Sequence, residues 1–488
     1  MKKMKALCLI LALTMLVFTV SSCTSTAPAS AGSADTPPAE TPVSAAPPES
    51  EPEEQVTGTF ICGIWPADTD YVALQQHLVY EAIFNAEHSN IEFVRFYYKY
   101  ATDNFLPMVQ AGTVPTIFES WFTEPAKLIE SGGARDITDI LNERGWAEAI
   151  NPSIKELLSK DGKIYGIPRD AYALGLGLNL ELFEQAGLMN ADGTPQYPKT
   201  WEELAAAAKK IKDETGAAGL CLLAKDNAGG WHWSNIAWAF GANLVTDNGD
   251  GTFTSNLDSA EAVAAMEYTK SLKWEYDVLT ADPLSEDWGT GFTQLGTGAA
   301  AMYIMANDAT EQPTANNGLA VDKFALVPVP AGPGGQYSLS GGTPYFFGAN
   351  ASDAEVNAAL DYLILMGKAP VLNDLSIAGM KAGNATKVSM GAPVIQRFPC
   401  WTLQELIDKE NEITAEFSNV NEALYADYFK AVTTEGNLRL EESGQTQNMY
   451  AELTKVLQEV LTNSDADVAA LMKTADENYQ SMLDNPTA

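Results

Sequence analysis

The sequence predicts an α/β protein with two lobes. Short apolar runs alternate with helical patterns at the start of the folded chain, which is typical of a parallel sheet flanked by helices. About 430 residues follow the N-terminal low-complexity segment, more than a single hydrophobic core usually holds. We therefore expect two lobes, each with a core of its own.

The predicted elements follow one another closely from Gly58 onward. They are a buried strand at 58–65, a helix at 71–87, a strand at 91–97, a helix at 103–111 and a strand at 116–118. Ligands of open α/β sheets bind beyond the carboxyl ends of the strands. Trp65 and Trp121 lie just after two of these strands, so both are candidate ligand contacts.

Further helix signals lie later in the chain. Thr200 and Glu203 fit a capping box, and Asp258 with Glu261 suggests a second helix start. Apolar residues recur at helical spacing over 450–472, which predicts a long C-terminal helical region. Three tryptophans lie within helical patterns and are expected in the core: Trp146, Trp201 and Trp274.

The N-terminus has the features of a bacterial secretion signal. Lysines precede an apolar run of fifteen residues at 6–20, which suits a signal peptide better than a membrane span. Ser21 and Ser22 stand directly before Cys23, a pattern that resembles a lipobox. We expect residues 1–22 to be a signal peptide and Cys23 to carry a lipid. An ordinary secretory peptide with a chance cysteine is the alternative.

Residues 23–56 are predicted to form an extended tether. The segment after Cys23 contains seven prolines and no Lys or Arg, so it cannot bury enough apolar surface to offset its ordering entropy. Each buried methylene of an acyl chain on Cys23 would contribute about 0.8 kcal/mol to membrane anchoring. The expected location is therefore the extracytoplasmic face of the cell membrane.

Composition excludes several classes of function. The formal charge of −35 disfavours nucleic acid and anionic lipid, which require clustered Lys or Arg. The cysteines beyond Cys23 can form at most one disulfide: Cys62, Cys221 and Cys400. The histidines have no metal-ligand spacing: His77, His88 and His232. No metal and no cofactor are predicted.

Five segments carry a resemblance to a known family. Asp161–Pro168, with the sequence DGKIYGIP, resembles a motif of the bacterial extracellular solute-binding proteins of the maltose and multiple-sugar class, which serve ABC importers. Further motifs follow in family order at 178–188, 198–204, 292–302 and 326–335. The resemblance extends from about Phe60 to Asp484 and, as five ordered motifs, is specific.

The resemblance implies a periplasmic-binding-protein-like fold of type II, with discontinuous lobes joined by hinge strands. By analogy, the first lobe comprises 57–171 and 323–371, and the second comprises 172–322 and 372–488. The first crossing between them would lie at 171–177. Its Gly175 and Gly177 either absorb a change of dihedral angle at a hinge or permit close packing of a strand.

The family function implies a cleft that binds a carbohydrate. Aromatic rings stack on the apolar faces of a sugar, while charged and amide groups hydrogen-bond its hydroxyls. For each tryptophan the alternative is core packing, and for Arg169 with Asp170 it is a surface ion pair. The candidate ligand contacts are Trp65, Trp121, Arg169, Asp170, Trp231, Trp233, Trp288 and Tyr345.

The expected function is that of a lipid-anchored, monomeric receptor. It would capture a carbohydrate, expected to be an oligosaccharide, in a cleft between the lobes and deliver it to an ABC permease without chemical change. A lipid-anchored glycoside hydrolase with two carboxylates is one alternative. The same fold with a polyamine, peptide or metal-complex ligand is another, because the many carboxylates suit a cation whereas the tryptophans suit a sugar face.

Overall fold

The computed structural model describes residues 57–485, the side chain of Ser153 apart. The predicted signal peptide, Cys23 and the tether at 23–56 lie outside these residues. The strands are β1 Gly58–Cys62, β2 Ile91–Arg95, β3 Ile117–Glu119, β4 Ser159–Lys160, β5 Lys163–Ile164, β6 Gly166–Asn179, β7 Ala218–Cys221, β8 Val245–Asp247, β9 Phe253–Ser255, β10 Ala300–Ala306, β11 Phe324–Val327, β12 Ser338–Phe347 and β13 Leu438–Leu440.

Sixteen α-helices are formed by the described residues. They are α1 Tyr71–Glu87, α2 Phe105–Ala111, α3 Pro125–Glu130, α4 Thr138–Arg144, α5 Pro152–Leu157, α6 Leu180–Gln185, α7 Trp201–Thr215, α8 Ala228–Phe240, α9 Ala260–Trp274, α10 Trp288–Gly296, α11 Asp353–Leu365, α12 Asp374–Met390, α13 Gln404–Phe417, α14 Ala426–Val432, α15 Thr446–Thr462 and α16 Val468–Asp484. The predicted alternation of strands and helices over residues 58–118 is confirmed.

One mixed sheet extends through the whole fold. Its strand order is β2-β1-β3-β12-β6-β10-β7, with β11 also paired to β6 and β13 to β12. The 14-residue β6 pairs with β12 over Gly166–Ala173 and with β10 and β11 over Leu174–Asn179. Because its two ends belong to different parts of the sheet, β6 is the strand that connects the lobes.

Two large hydrophobic cores lie along this sheet, as expected for two lobes. The first contains Phe60, Phe84 and Tyr362, whose rings lie 5.4–6.0 Å apart. The second is centred on side chains such as Leu176 and Trp233. The elements that pack around each core are called here the first lobe and the second lobe.

The packing differs from the predicted lobe boundaries in two places. Residues 324–329 pack in the second core, because β11 pairs with the carboxyl half of β6. Cys400, Trp401 and Leu406 pack in the first core, where Trp401 pairs with Ile150 and its ring lies 6.3 Å from that of Trp146. The second crossing between the cores therefore falls within β12 rather than near residue 323.

Helix starts follow local hydrogen bonding. Thr200 caps α7 by accepting a hydrogen bond from the amide of Glu203, as predicted. The Glu203 carboxylate, however, accepts a hydrogen bond from the amide of Lys199 and not from that of Thr200. The cap of α9 is Ser259 and not Asp258. The Ser259 backbone is extended, which lets its hydroxyl reach the first turn.

Two of the three tryptophans expected in the core are buried there, Trp146 and Trp201. The expectation for Trp274 is wrong, since 45% of this residue is exposed. Trp274 lies at the end of α9, and its Nε1 donates to the carbonyl oxygen of Val460, 2.8 Å away. Trp274 therefore lies at a helix-periodic position because it contacts α15, although it is not buried in the core.

The remaining cysteines are buried and free, so the possible disulfide does not form. Among residues 57–485, no helix is both long and apolar enough to cross a membrane. The same residues contain no group of three or more His, Cys, Asp or Glu side chains that could hold a metal ion.

Candidate ligand-binding site

The first lobe presents Trp121 in the turn that follows β3. The amide of Phe122 donates to the carbonyl oxygen of Gly342 at 3.3 Å, which fixes this turn against β12. Trp121 is partly exposed, and its ring meets Tyr100 edge to face at 5.1 Å. The turn thus leaves an indole at the carboxyl end of β3, where the sheet topology predicts a ligand.

Two glycines of β12 make room for the aromatic residues of the site. Gly341 and Gly342 lie inside β12 and not in a turn before it. A Cβ on Gly342 would lie 2.2 Å from the Phe122 ring, and one on Gly341 would lie 2.5 Å from the Tyr172 hydroxyl. The glycines therefore serve close side-chain packing on the strand.

The second lobe contributes its aromatic residues mainly from α8. Gly230 lies within this helix and lets α15 approach closely, because a Cβ there would lie 2.3 Å from the carbonyl oxygen of Tyr450. Trp233 is completely buried and donates from Nε1 to the Thr269 hydroxyl at 3.1 Å. Trp231 is partly exposed, so only it offers a ring surface to a ligand.

Trp231 is the centre of an aromatic cluster. Its ring lies 5.2 Å from Trp288 and 6.3 Å from Tyr172, in both cases edge to face. Its indole hydrogen-bonds to Glu441, which also accepts a bond from the hydroxyl of Tyr450 at 3.2 Å. Burial raises the pKa of Glu441 to about 7, and the charge of Glu124 adds to this shift.

Hydrogen bonds join the two lobes on either side of this region. Gln447 Nε2 donates to the Thr123 hydroxyl at 3.0 Å, and Asn227 Nδ2 donates to Gln447 Oε1 at 2.9 Å. Elsewhere, the carboxylate of Asp70 at the start of α1 accepts from Asn316 of the second lobe at 2.9 Å. The lobes are therefore in contact in this structure, which suits a cleft that closes.

Arg169 forms an ion network between the lobes. Its guanidinium lies 2.8 Å from Glu119, 2.8 Å from Asp170 and 3.5 Å from Asp308. Glu119 ends β3 of the first lobe, and Asp308 follows β10 of the second. Burial, and then the charge of Asp170, raises the pKa of Asp308 to about 6. This partly buried network is not the surface ion pair that the sequence left open.

Asp170 also binds Lys368, which connects α11 to β6. Burial alone would raise the pKa of Asp170, but Lys368 and Arg169 outweigh it and lower this pKa well below its ordinary value. The carboxylate is therefore held ionised between two cations. Its Oδ1 is paired with Lys368 and its Oδ2 with Arg169.

Two other candidates have little free surface. Trp65 is 7% exposed, and the Arg95 guanidinium lies 4.6 Å above its ring. Tyr345 is completely buried in β12, opposite Glu119 of β3. The structure thus brings together Trp231 and Trp288, and separately Arg169 and Asp170, while Trp65, Trp233 and Tyr345 pack inside the lobes.

Sequence reasoning missed several residues of this region. Tyr172 has a local signal, because it follows Arg169 and Asp170 on the crossing strand. Asp308 also has a local signal, because it lies just after a strand that begins in the family-like segment at 292–302. Glu441 and Gln447 have no such signal, since tertiary packing alone brings the C-terminal part of the chain to the cleft.

The chemistry of the site suits a neutral, hydroxylated molecule. Trp121, Trp231 and Tyr172 offer apolar ring surface, while the Arg169 network and Glu441 offer charged hydrogen-bonding groups. Charge-assisted hydrogen bonds contribute about 1.5–3 kcal/mol each where they are buried. These are the two kinds of contact that the faces and the rim of a sugar require.

The family model of the bacterial extracellular solute-binding proteins matches residues 66–369. The chain belongs to this family. Solute-binding proteins of this family act outside the cytoplasm. A binding protein of Brucella abortus (strain 2308) is 30% identical over 212 residues, which are 42% of this chain and 47% of the relative. The chain spans about half the length of the curated relatives it matches.

Solved structures share the fold over most of the chain. An ABC transporter solute-binding protein of Thermotoga lettingae bound with α-D-tagatose is 18% identical, with a TM-score of 0.68 over 88% of this chain and 100% of the other. Maltose-bound MalE3 of T. maritima is 17% identical, with a TM-score of 0.65 over 88% and 99%. UgpB of Mycobacterium tuberculosis in complex with glycerophosphocholine is 15% identical, with a TM-score of 0.64 over 88% and 98%. The two-lobed type II fold is confirmed.

Proposed function

We propose that this protein is the carbohydrate receptor of an ABC importer and that it binds an oligosaccharide between its lobes. The observation that carries the proposal is the cluster of Trp231, Trp288 and Tyr172, joined to the Trp121 turn through Gln447. Aromatic rings on both lobes give a sugar two faces to bind. Relatives of the same fold bind tagatose and maltose, which supports this ligand class.

Capture operates by lobe closure. A ligand that contacts Trp121 on one lobe and Trp231 on the other stabilises the closed arrangement over the open one, because only the closed arrangement makes both contacts. The interlobe bonds of Thr123 and Asp70 then add to the stability of that state. The closed receptor, acting as a monomer, is the form that an ABC permease would recognise.

Isothermal titration with a panel of ligands tests the proposal. The panel contains tagatose, maltose, longer maltodextrins and chitin oligosaccharides, with spermidine and glycerophosphocholine as charged competitors. We expect micromolar affinity for at least one sugar, equivalent to about −8 kcal/mol. Binding of spermidine alone would instead favour a cationic ligand, and binding of glycerophosphocholine alone would favour a zwitterionic phosphodiester; in either case the carbohydrate proposal would fail.

The same sugar is then incubated with the protein and followed by chromatography. We propose binding without turnover, as for the other members of the family. A hydrolase would use two carboxylates, one of them with a raised pKa, and both Glu441 and Asp308 fit that description. Release of shorter products that is abolished in Glu441→Gln would replace the receptor proposal with the hydrolase.

We further propose a lipid anchor on Cys23. Metabolic labelling with a palmitate analogue, followed by membrane fractionation, tests this point. Cys23→Ser should lose both the label and the membrane association. Cys8→Ser is the matched control, because residue 8 lies in the proposed signal peptide and should leave both properties unchanged. Label that persists in Cys23→Ser would remove the anchor from the proposal.

A further inference from the structure

A cavity lies away from the aromatic cluster. Its volume is about 500 Å³, in the range usual for small-molecule sites. Helices α1, α12 and α13 of the first lobe and α14 of the second line it, and none of the eight predicted ligand residues does so. The lining residues that matter for its chemistry are Tyr80, Lys368, Arg397, Phe398, Phe429 and Lys430.

The charge of this cavity is opposite to that of the protein. Three cationic side chains and one carboxylate, Glu410, line it, in a chain with 29 basic and 64 acidic residues. Such a local reversal is not expected from the composition. Because unneutralised positive charge attracts anions into a partly enclosed site, the cavity is suited to a ligand of negative charge.

Arg397 is the distinctive residue of the cavity. Each of the other five arginines lies within 4 Å of a carboxylate: Arg95, Arg135, Arg144, Arg169 and Arg439. Among the described residues neither Arg397 nor Lys430 has a carboxylate within 4 Å, although the charges of Asp170, Glu410 and Glu311 act on Arg397 from farther away. Lys368, in contrast, is occupied by Asp170. Arg397 and Lys430, both exposed to solvent, therefore remain available at the cavity lining, and Glu410 offsets only part of their charge.

We propose that this cavity binds a small organic anion, with a carboxylate or phosphate group held by Arg397 and Lys430 and an apolar body packed against Phe398 and Phe429. The guanidinium fork matches the oxygens of either anionic group in a bidentate manner. Phe398 and Phe429 are only partly buried, so their rings have surface left for the ligand body.

The position of the cavity also makes it sensitive to how the two lobes are arranged. Phe429 packs with the second core, whereas Tyr80 belongs to the first. The cavity is therefore lined by elements of both lobes. Lys368 connects the cavity wall with the cleft, since it binds Asp170 and Asp170 binds Arg169.

Titration of the purified full-length protein with benzoate and phenyl phosphate tests the proposal, with benzamide as the uncharged probe of the same shape. No carbohydrate is present, so the outcome does not depend on the proposed sugar ligand. We expect saturable binding of at least one anion, with benzamide at least tenfold weaker. Equal binding of benzamide, or no binding of either anion, would overturn the proposal.

Variants locate the site. Arg397→Gln should weaken anion binding at least tenfold, whereas Arg397→Lys should retain part of it. Lys99→Gln removes one exposed positive charge outside the cavity and should bind like the parent protein. Thermal melting shows whether each variant is folded. Undiminished binding in a folded Arg397→Gln, or an equal loss in Lys99→Gln, would contradict the assignment.

Discussion

Gln447 donates a hydrogen bond to Thr123 at 3.0 Å, although 324 positions separate them in the chain. Thr123 belongs to the turn that presents Trp121, and Gln447 begins α15 beside the helix that presents Trp231. Asn227, at the start of that helix, holds Gln447 from the other side. One amide side chain therefore joins the aromatic elements of the two lobes.

Gln447→Ala should weaken carbohydrate binding without unfolding the protein. A single neutral hydrogen bond contributes about 0.5–1.5 kcal/mol, so the affinity should fall roughly two- to tenfold. Isothermal titration with the tightest sugar of the panel measures the change. Gln404→Ala, an exposed change at the start of α13, is the control. An unchanged affinity in Gln447→Ala would show that the interlobe bond does not support closure.

Substitution of Trp231 should lower sugar affinity, whereas substitution of Trp233 should lower the stability of the fold. Trp231→Ala should reduce sugar affinity at least tenfold, since it removes the centre of the aromatic cluster. Trp233→Ala leaves a cavity in the second core and should cost about 3–5 kcal/mol of stability. Titration and urea unfolding of both variants check this contrast. The site assignment fails if Trp231→Ala binds sugar like the parent protein.

Asp170→Asn should destabilise the protein near neutral pH by about 3 kcal/mol, because it leaves Lys368 and Arg169 without their shared carboxylate. The pKa of Asp170 is lowered in the folded state. Its stabilisation is therefore present above the unfolded-state pKa and is lost as the pH falls through the folded value. Urea unfolding at pH 7 and pH 3 should show a smaller difference at the lower pH.

The matched control for this change is Asp213→Asn. Asp213 pairs with Lys209 one turn away on the exposed face of α7, where such a pair contributes about 0.3–0.5 kcal/mol. A loss of stability in Asp170→Asn no larger than in Asp213→Asn would mean that the network at β6 is screened like a surface pair.

Much of the fold follows from local sequence pattern. The alternation that starts at Gly58 predicts β1, α1 and β2 because burial and periodicity coincide there. The local pattern does not predict which segments belong to which lobe. The sequence of β11 is that of an apolar strand, and it would be the same in either half of the sheet. Pairing with β6, a contact distant in the sequence, decides its lobe.

The candidate site is predicted less completely than the fold. Trp231 and Trp233 lie two residues apart in one helix, and only the packing of α8 against α9 and α15 decides which of them is buried. Packing also decides between the two interpretations of Gly175 and Gly177, a hinge or a closely packed strand. A Cβ there would lie 2.7 Å from Tyr428 and 2.6 Å from Met305, so close packing explains both glycines.

Glu441→Gln should stabilise the protein at high pH. Burial raises the pKa of Glu441 to about 7 in the folded state, so the folded protein binds more protons than the unfolded one between roughly pH 4.5 and 7, and stability falls as the pH rises through this window. Since one pKa unit corresponds to about 1.4 kcal/mol, the rise from 4.5 to about 7 predicts that the variant gains about 3.5 kcal/mol at pH 8 and almost nothing at pH 4.5. Urea unfolding at both values measures this, with the exposed Glu435→Gln as control. A gain in stability that is equal at the two pH values would show that the pKa of Glu441 is not raised in the folded protein.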